Sequence, residues 1–353
     1  MRLKNILRNF DRKRRKKMSV LEPILYRVLR NNKSRDSGLL QKEMVKNILI
    51  IRNNKRIGNM YFLIPFIRQI RINYPDAHIT LLLNQPWQRD VFLNMGVDDF
   101  AFSYFSTKGL YSFFCSMRIL RKKTYDLAIL PYSSVEDTMI CSILAAKNKV
   151  APFHSRRNTI FTHTFKKNDE LTHAALSCLY LIPLIGGELN QPICHHLELD
   201  KHELCEGVLA KTLTYQGDKL CIAYFRGARG EKRLSDTTWL SLLNKFENES
   251  NHSIQWVEVL SPDIITPLKG GSLTFRTNNM RHLASYLKNM NAFICCDTGP
   301  LHLADAAGVN CIGLFNKTNP AVFGVLGHNS LNVENIFELD VNEIINKMDR
   351  NNL

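Results

Sequence analysis

Asp297, Thr298, Gly299, Pro300 and His302 lie together in the stretch "CCDTGPLHLADAAGV", directly after an apolar run and directly before a short helical pattern. A helix that opens at this point turns its free N–H groups and the positive end of its dipole outward. That arrangement is an anion site. Gly299 admits the close approach of a phosphate, Thr298 adds a hydroxyl donor, Pro300 suits the first helical turn, and His302 can donate from an imidazole N–H. The dipole contributes about 0.3–1 kcal/mol when exposed and up to about 2 when partly buried, so a bound phosphate needs further cations. "FRGARGEKR" offers them. Arg226, Arg229, Lys232 and Arg233 follow the apolar run "CIAYF", with Gly227 and Gly230 in the same loop. Two such loops facing one cleft fit a nucleotide-sugar pyrophosphate. Each piece also has an ordinary reading: Asp297 as a helix cap, Gly299 as a turn residue, His302 as a packing residue, the basic loop as a solvated face. The functional reading rests on both loops leaving the carboxyl ends of strands in one half of the chain.

The elements that must position these loops alternate along the sequence. "KNILIIR" (46–52) is a continuous apolar run, as expected of a strand covered on both faces in a parallel sheet. After "NNKRIGN", Met60, Leu63, Ile64, Ile67 and Ile70 mark a helix ending near Tyr74 and Pro75. The strand "HITLLLN", a helix from about Trp87 to Met95, a strand near "DDFAF", a helix around "LYSFFCSMRILRKK" and the strand "YDLAILP" follow. A helix near 135–146, the strand "KVAPF" and an apolar helix from about His173 to Ile185 complete the first half. "GGELNQPICHHLELDKHEL" is the expected connection, after which "KLCIAYF", "SDTTWLSLLNKF", "IQWVEVL", "MRHLASYLKNM", "NAFICC", "PLHLADAAG" and "CIGLF" restart the pattern. Alternation of this kind predicts α/β architecture, with a basic extension over 1–45, one domain over 46–190, a second over 191–340 and a C-terminal helix over 341–353. Ligands of such sheets bind beyond the carboxyl ends of the strands, which singles out the loops 53–59, 226–232 and 297–302.

At 353 residues and 45% apolar composition the chain can bury full cores, and its length suggests two domains or three. Nine cysteines, an odd number without repeating spacing, read as reduced thiols in cytosol. "AALSCLYLIPLIGG" is too short for a bilayer and contains Pro183, so no transmembrane helix is expected. The net charge of +15 is concentrated at one end: residues 1–35 hold thirteen Lys or Arg against Asp11 and Glu22, which is +11 (13 minus 2). "RKRRKK" stands beside an amphipathic segment with Leu21, Ile24, Leu25, Val28 and Leu29 at helical spacing. This suits an anionic membrane surface, where each basic residue contributes about 1 kcal/mol; a solvated tail and a nucleic-acid contact are the alternatives. No RNA or DNA module follows, and nucleic acid is not expected as a partner.

"CCDTGPLHLADAAGVNCIGLFNKTNP" resembles the signature of the ADP-heptose:lipopolysaccharide heptosyltransferase family, and "MRHLASYLKNMNAF" upstream fits it too. "FRGARGEKRLSDTTWLSLL" resembles that family's lysine loop, "ILIIRNNKRIGNMYFLIPFIRQIRINYPDAHITLLL" its first strand, loop and helix, and "YDLAILP" another of its strands. The similarity covers roughly 46–340. It implies two Rossmann-like domains facing a cleft in the B-type glycosyltransferase fold, and an inverting transferase without a metal or other cofactor. By position it assigns the donor contacts to Thr298, Gly299, Pro300 and His302, neutralisation of the pyrophosphate to Lys232, and the holding of the loop to Asp297. Arg226 and Gly227 belong to the same donor loop, and Arg52, Lys55, Arg56 and Asn59 to the acceptor loop, whose cations would favour acceptor phosphates.

One position departs from the family. Where the family has an aspartate base, directly after a glycine in the first loop, "RIGNM" has Asn59. An amide is no base, and a base is typically worth 10² to 10⁴ in rate, about 3–5 kcal/mol. Three explanations stand: a relocated base, with Asp98, Asp99, Glu136, Asp137 and His154 as candidates; Asn59 positioning the acceptor while the proton leaves late to a donor phosphate or water; or binding without turnover. "CHHLELDKHELC" holds Cys194, His195, His196, His202 and Cys205 at spacings unlike paired zinc ligands, and no metal is expected there. Trp87, Trp239, Trp256, Cys295 and Cys296 read as packing residues. The sequence thus leads to a cytoplasmic heptosyltransferase on the inner leaflet of a Gram-negative inner membrane, acting on the lipopolysaccharide core. The rivals are a related transferase using another nucleotide sugar, such as N-acetylglucosamine, and a non-catalytic homologue.

Overall fold

The computed structural model describes residues 38–103, 110–167, 172–215, 217, 219–270 and 272–349. Most of the basic extension, with its amphipathic segment, lies outside the described residues. Within them the chain builds two six-stranded sheets, ordered β3-β2-β1-β4-β5-β6 and β12-β11-β10-β7-β8-β9. The first comprises β1 (Asn47–Arg52), β2 (His78–Leu83), β3 (Asp99–Phe102), β4 (Tyr125–Ile129), β5 (Ala146–Pro152) and β6 (His163–Phe165). The second comprises β7 (Leu220–Phe225), β8 (Ile254–Leu260), β9 (Leu273–Arg276), β10 (Ala292–Cys296), β11 (Cys311–Leu314) and β12 (Leu331–Val333). Every strand pairing in both is parallel. The apolar runs of β1, β7 and β10 dictate this: a strand whose side chains are buried on both faces needs helices above and below.

Both sheets reverse direction of growth at one place, between β1 and β4 in the first and between β7 and β10 in the second. Strands on either side of such a switch point send their connections to opposite faces, leaving a crevice at their carboxyl ends. The loops 53–57 and 130–134 border the first crevice, and 226–235 and 297–298 border the second. An apolar cluster joins the two halves, running from Ile48, Phe66 and Ile70 to Leu301, Leu303 and Ala306. Polar contacts reinforce the seam. Arg68 donates to the carbonyl of His196 at 3.0 and 2.8 Å and to Glu198 at 2.8 Å, and Arg281 donates to the carbonyl of Asp90 at 2.8 Å.

Several expected helices take another form. The stretch from Trp87 to Met95 is a 3-10 turn, Pro86–Val91, closed by Asn94 and Gly96 at positive φ. From His173 to Ile185 the chain makes successive turns with one short helix, Leu181–Leu184, because Pro183 has no N–H to give. The tail of the expected connection is instead the start of a helix, Lys201–Thr214, capped by Asp200 with Glu203 returning the bond. The C-terminal helix, Val341–Asp349, buries Val341, Ile344 and Ile345 with Leu242 and Phe246. Among the described residues no helix is long and apolar enough to cross a membrane.

Candidate active site

β10 ends at Cys296 and the helix Gly299–Ala306 begins after a two-residue turn. Asp297 does not cap that helix, and neither does Thr298, whose side chain makes no capping bond. The carboxylate of Asp297 is instead the hub of a charged cluster. One oxygen accepts from Lys232 Nζ and from Thr318 Oγ1 at 2.7 Å, and the other meets His302 Nε2 at 3.1 Å. Burial alone would raise the carboxyl's pKa, but the bonds from His302, Lys232 and Thr318 outweigh it and hold the group well below the usual carboxylate range. The helix N-terminus therefore keeps its N–H groups facing the crevice, with Thr298, Gly299 and Pro300 half-buried around it. Lys232 arrives from the loop after β7 and also reaches the carbonyl of Asp297 at 3.3 Å. The two loops singled out in the second half thus converge on one point.

Arg226 is placed elsewhere. Its guanidinium is buried and fully engaged, with Nε donating to Glu258 at 2.6 Å, Nη1 to Asp236 at 3.0 Å and Nη2 to the carbonyl of Thr266. It pins the base of the Gly227–Lys232 loop rather than facing the crevice. Thr318, in the loop after β11, has no counterpart in the sequence reading; a threonine 21 residues beyond its partner carries no local signal.

The first half meets this cluster at Gly58. A side-chain carbon there would stand 3.0 Å from His302 Cδ2 and 3.9 Å from His302 Nε2, while one on Gly299 would overlap the Ile57 side chain. Both glycines are needed for this approach. Asn59 is thereby carried to the edge of the anion site, half-buried, and Phe62, one turn on, packs edge-on against the His302 ring at 4.6 Å. Beneath this loop Asn53 N–H donates to Asp137 Oδ1 at 2.7 Å, the Asn53 side chain pairs with Asn84, and Gln88 donates to the carbonyl of Asn54 at 2.6 Å. Of the cations expected to serve an acceptor, Lys55 and Arg56 are exposed, but Arg52 is buried with its guanidinium 4.1 Å over the Tyr132 ring.

The candidate bases separate by position. Asp98 and Asp99 lie at the amino end of β3, on the sheet edge away from the crevice; Asp98 holds Ile79 N–H and Arg71, and Asp99 holds His78 and Lys123. They are structural. Glu136, Asp137 and His154 follow the carboxyl ends of β4 and β5. Glu136 is exposed, His154 half-buried, and Asp137 fully buried, with burial pushing its carboxyl up to about 6.

Two α/β layers closing on an uncapped helix end, with a lysine beside it, form the architecture of the B-type glycosyltransferase fold. The solved structures agree on the fold. A glycosyltransferase family 9 protein from Veillonella parvula aligns with a TM-score of 0.71 at 16% identity, covering 86% of this chain and 89% of that one. The E. coli heptosyltransferase WaaC with ADP aligns at 0.67 and 14% identity, over 86% and 99%. E. coli ADP-heptose lps heptosyltransferase II aligns at 0.67 and 16% identity, over 86% and 98%. Among curated proteins no sequence match accompanies these structural ones. Residues 272–347, which contain the Asp297 turn, match the model of glycosyltransferase family 9 (heptosyltransferase).

Proposed function

We propose that this glycosyltransferase moves a heptose from ADP-heptose to the lipopolysaccharide core with inversion at the anomeric carbon. The observation that carries the reading is the Lys232–Asp297–His302–Thr318 cluster at an uncapped helix N-terminus, set against Gly58 and Asn59 across the seam. The donor's diphosphate enters at that helix end, accepting from the Gly299 N–H and the Thr298 hydroxyl. Lys232 turns part of its charge from Asp297 to the diphosphate. The acceptor hydroxyl attacks the anomeric carbon from the opposite face, its oxygen forming the new bond as the bond to the diphosphate breaks and the electron pair leaves on the phosphate. Charge builds on the leaving group, where a preorganised lysine and helix end contribute most. These groups do the neutralising that a divalent ion does elsewhere, so no metal is required.

Asn59 orients the hydroxyl, and the proton passes to Glu136, to His154 or late to a donor phosphate. Alanine at Glu136 and at His154, with Asn59→Asp, separates these routes: a tenfold or greater loss at one site marks the base. Exposed Lys55 and Arg56 attract a phosphorylated acceptor, and the +11 charge of residues 1–35 holds the enzyme on the anionic inner leaflet where that glycolipid is made. The deciding experiment is mass analysis of core oligosaccharide from a deletion strain. Loss of one heptose supports the donor; loss of a hexosamine replaces ADP-heptose with another nucleotide sugar. Thermal-shift titration with ADP against UDP reports the same choice on the purified protein.

A further inference from the structure

The "CHH" stretch finds a place behind the donor turn. His302 is 5% exposed, and its Nε2–Cδ2 edge is occupied by Asp297 on one side and Gly58 on the other. Its opposite edge carries Nδ1, which is buried and has no hydrogen-bond partner. His195 Nε2 is buried without a partner as well. Both rings line one small cavity, together with Phe62, His173, Asp305 and Leu326. Asp305 Oδ1 stands 3.7 Å from His195 Nε2, too far for a direct hydrogen bond, and its two oxygens accept from Gly327 N–H at 2.8 Å and Leu326 N–H at 2.9 Å. His173 is satisfied, through the carbonyl of Gly324 and the N–H of Ala175.

Two unpaired imidazole nitrogens facing one cavity, with a carboxylate just beyond hydrogen-bond reach, need a third body. We propose that one ordered water binds in this cavity and makes His195, oriented by Asp305, the positioning residue that fixes the proton of His302 on Nε2. The balance of donors is complete. His195 donates its Nε2 proton to the water, and the water gives one proton to His302 Nδ1 and the other to Asp305 Oδ1. Three bonds is the usual complement of a buried water. With Nδ1 occupied as an acceptor, the neutral ring carries its proton on Nε2 and offers a donor, not a lone pair, to whatever anion stands there. That anion is Asp297 in the structure, and the donor diphosphate once it binds. The same strap ties the device to the seam, because Leu197 N–H donates to the carbonyl of Ala306 at 2.8 Å and Arg68 holds His196.

The proton placement stands on geometry alone; its consequence for nucleotide affinity rests on the donor-site reading above. Nitrogen-15 NMR of histidine-labelled full-length protein without nucleotide tests the first, and ADP titration of the same samples tests the second. The wild type is expected to show His302 protonated at Nε2, with Nδ1 unprotonated and accepting a hydrogen bond. In His195→Phe, which fills the space without a nitrogen, the His302 Nδ1 resonance moves out of the hydrogen-bonded range and ADP affinity falls about tenfold. His195→Gln, which keeps a donor, restores both. A wild-type His302 protonated at Nδ1, or a Nδ1 resonance unmoved in His195→Phe, overturns the proposal. A wild type that does not bind ADP overturns the donor-site reading and leaves the NMR result to decide this one.

Discussion

At the carboxyl edge of the second sheet Asp297, Lys232 and Arg226 each hydrogen-bond a charged partner, whereas at the matching edge of the first sheet Arg52 Nε and Asp137 Oδ2 are buried without a hydrogen-bond partner. The two edges have the same strand order and the same switch point, so the difference lies in side chains and not in fold. The second edge is electrostatically closed before any ligand arrives. Its anion, Asp297, already occupies Lys232 and His302, the groups that a diphosphate would take over, which keeps two cationic or donor groups aimed at one point at little reorganisation cost. The first edge keeps a carboxyl whose pKa burial raises to about 6 and a guanidinium that lies over the Tyr132 ring. The stretch that resembles the heptosyltransferase signature lies where charged groups are paired, and Asn59, where that resemblance breaks, lies on the edge whose buried polar atoms stay unpaired.

The contrast breaks most sharply at Lys232. Lys232→Ala is expected to lower turnover by roughly 10² to 10³, about 2.7–4 kcal/mol, with folding intact, because Asp297 retains His302 and Thr318. Steady-state transfer to a truncated core acceptor measures it. A loss under tenfold would mean that the lysine serves only Asp297. Asp137 sharpens the contrast from the other edge. Its folded pKa of about 6 lies above an unfolded value near 3.8, so the folded form binds the extra proton between those pH values and stability falls as pH rises through that window. Above pH 6 the deficit is constant at about 3 kcal/mol, from about two pKa units. Asp137→Asn therefore gains on the wild type between pH 4 and pH 7 in urea melts. Equal differences at both pH values would show the carboxyl to be ionised at no cost.

How far these edges could be read from sequence follows from the range of the interactions. The Asp297 turn is local: strand, turn and helix end lie within one stretch, and each residue type has a short-range reason to be there. β1, β7 and β10 were equally legible, as unbroken apolar runs. Arg226 misled because its loop looks like an anion loop, while Glu258, which takes its charge, sits 32 residues later on the neighbouring strand. Thr318 and the His195–Asp305 pair were invisible for the same reason. Asp98 and Asp99 failed differently. They lie at the amino end of β3, and the amino end of a parallel strand cannot reach the crevice. The stretch from Trp87 to Met95 was expected as a helix, but Pro86, Asn94 and Gly96 confine it to a 3-10 turn.

The smallest expected effect concerns the contact between the edges. Gly299 has no room for a methyl group, because its missing side chain would fall within Ile57 of the first loop. Gly299→Ala is therefore expected to cost about 1–3 kcal/mol through overpacking across the seam, seen as a lowered denaturation midpoint. The loss has a specific remedy if the contact is its cause. Ile57→Ala removes the obstructing branch, so the double variant should recover most of the stability that Gly299→Ala loses, with a coupling energy of 0.5 kcal/mol or more as is typical of residues in contact, about that size at least. Strict additivity would place the strain inside the helix Gly299–Ala306 instead, and would mean that the two halves do not hold this approach in solution. Activity adds a second reading of the same pair: if Asn59 reaches the donor only through the close passage of Gly58 and Gly299, recovery of stability in the double variant should bring transfer back with it.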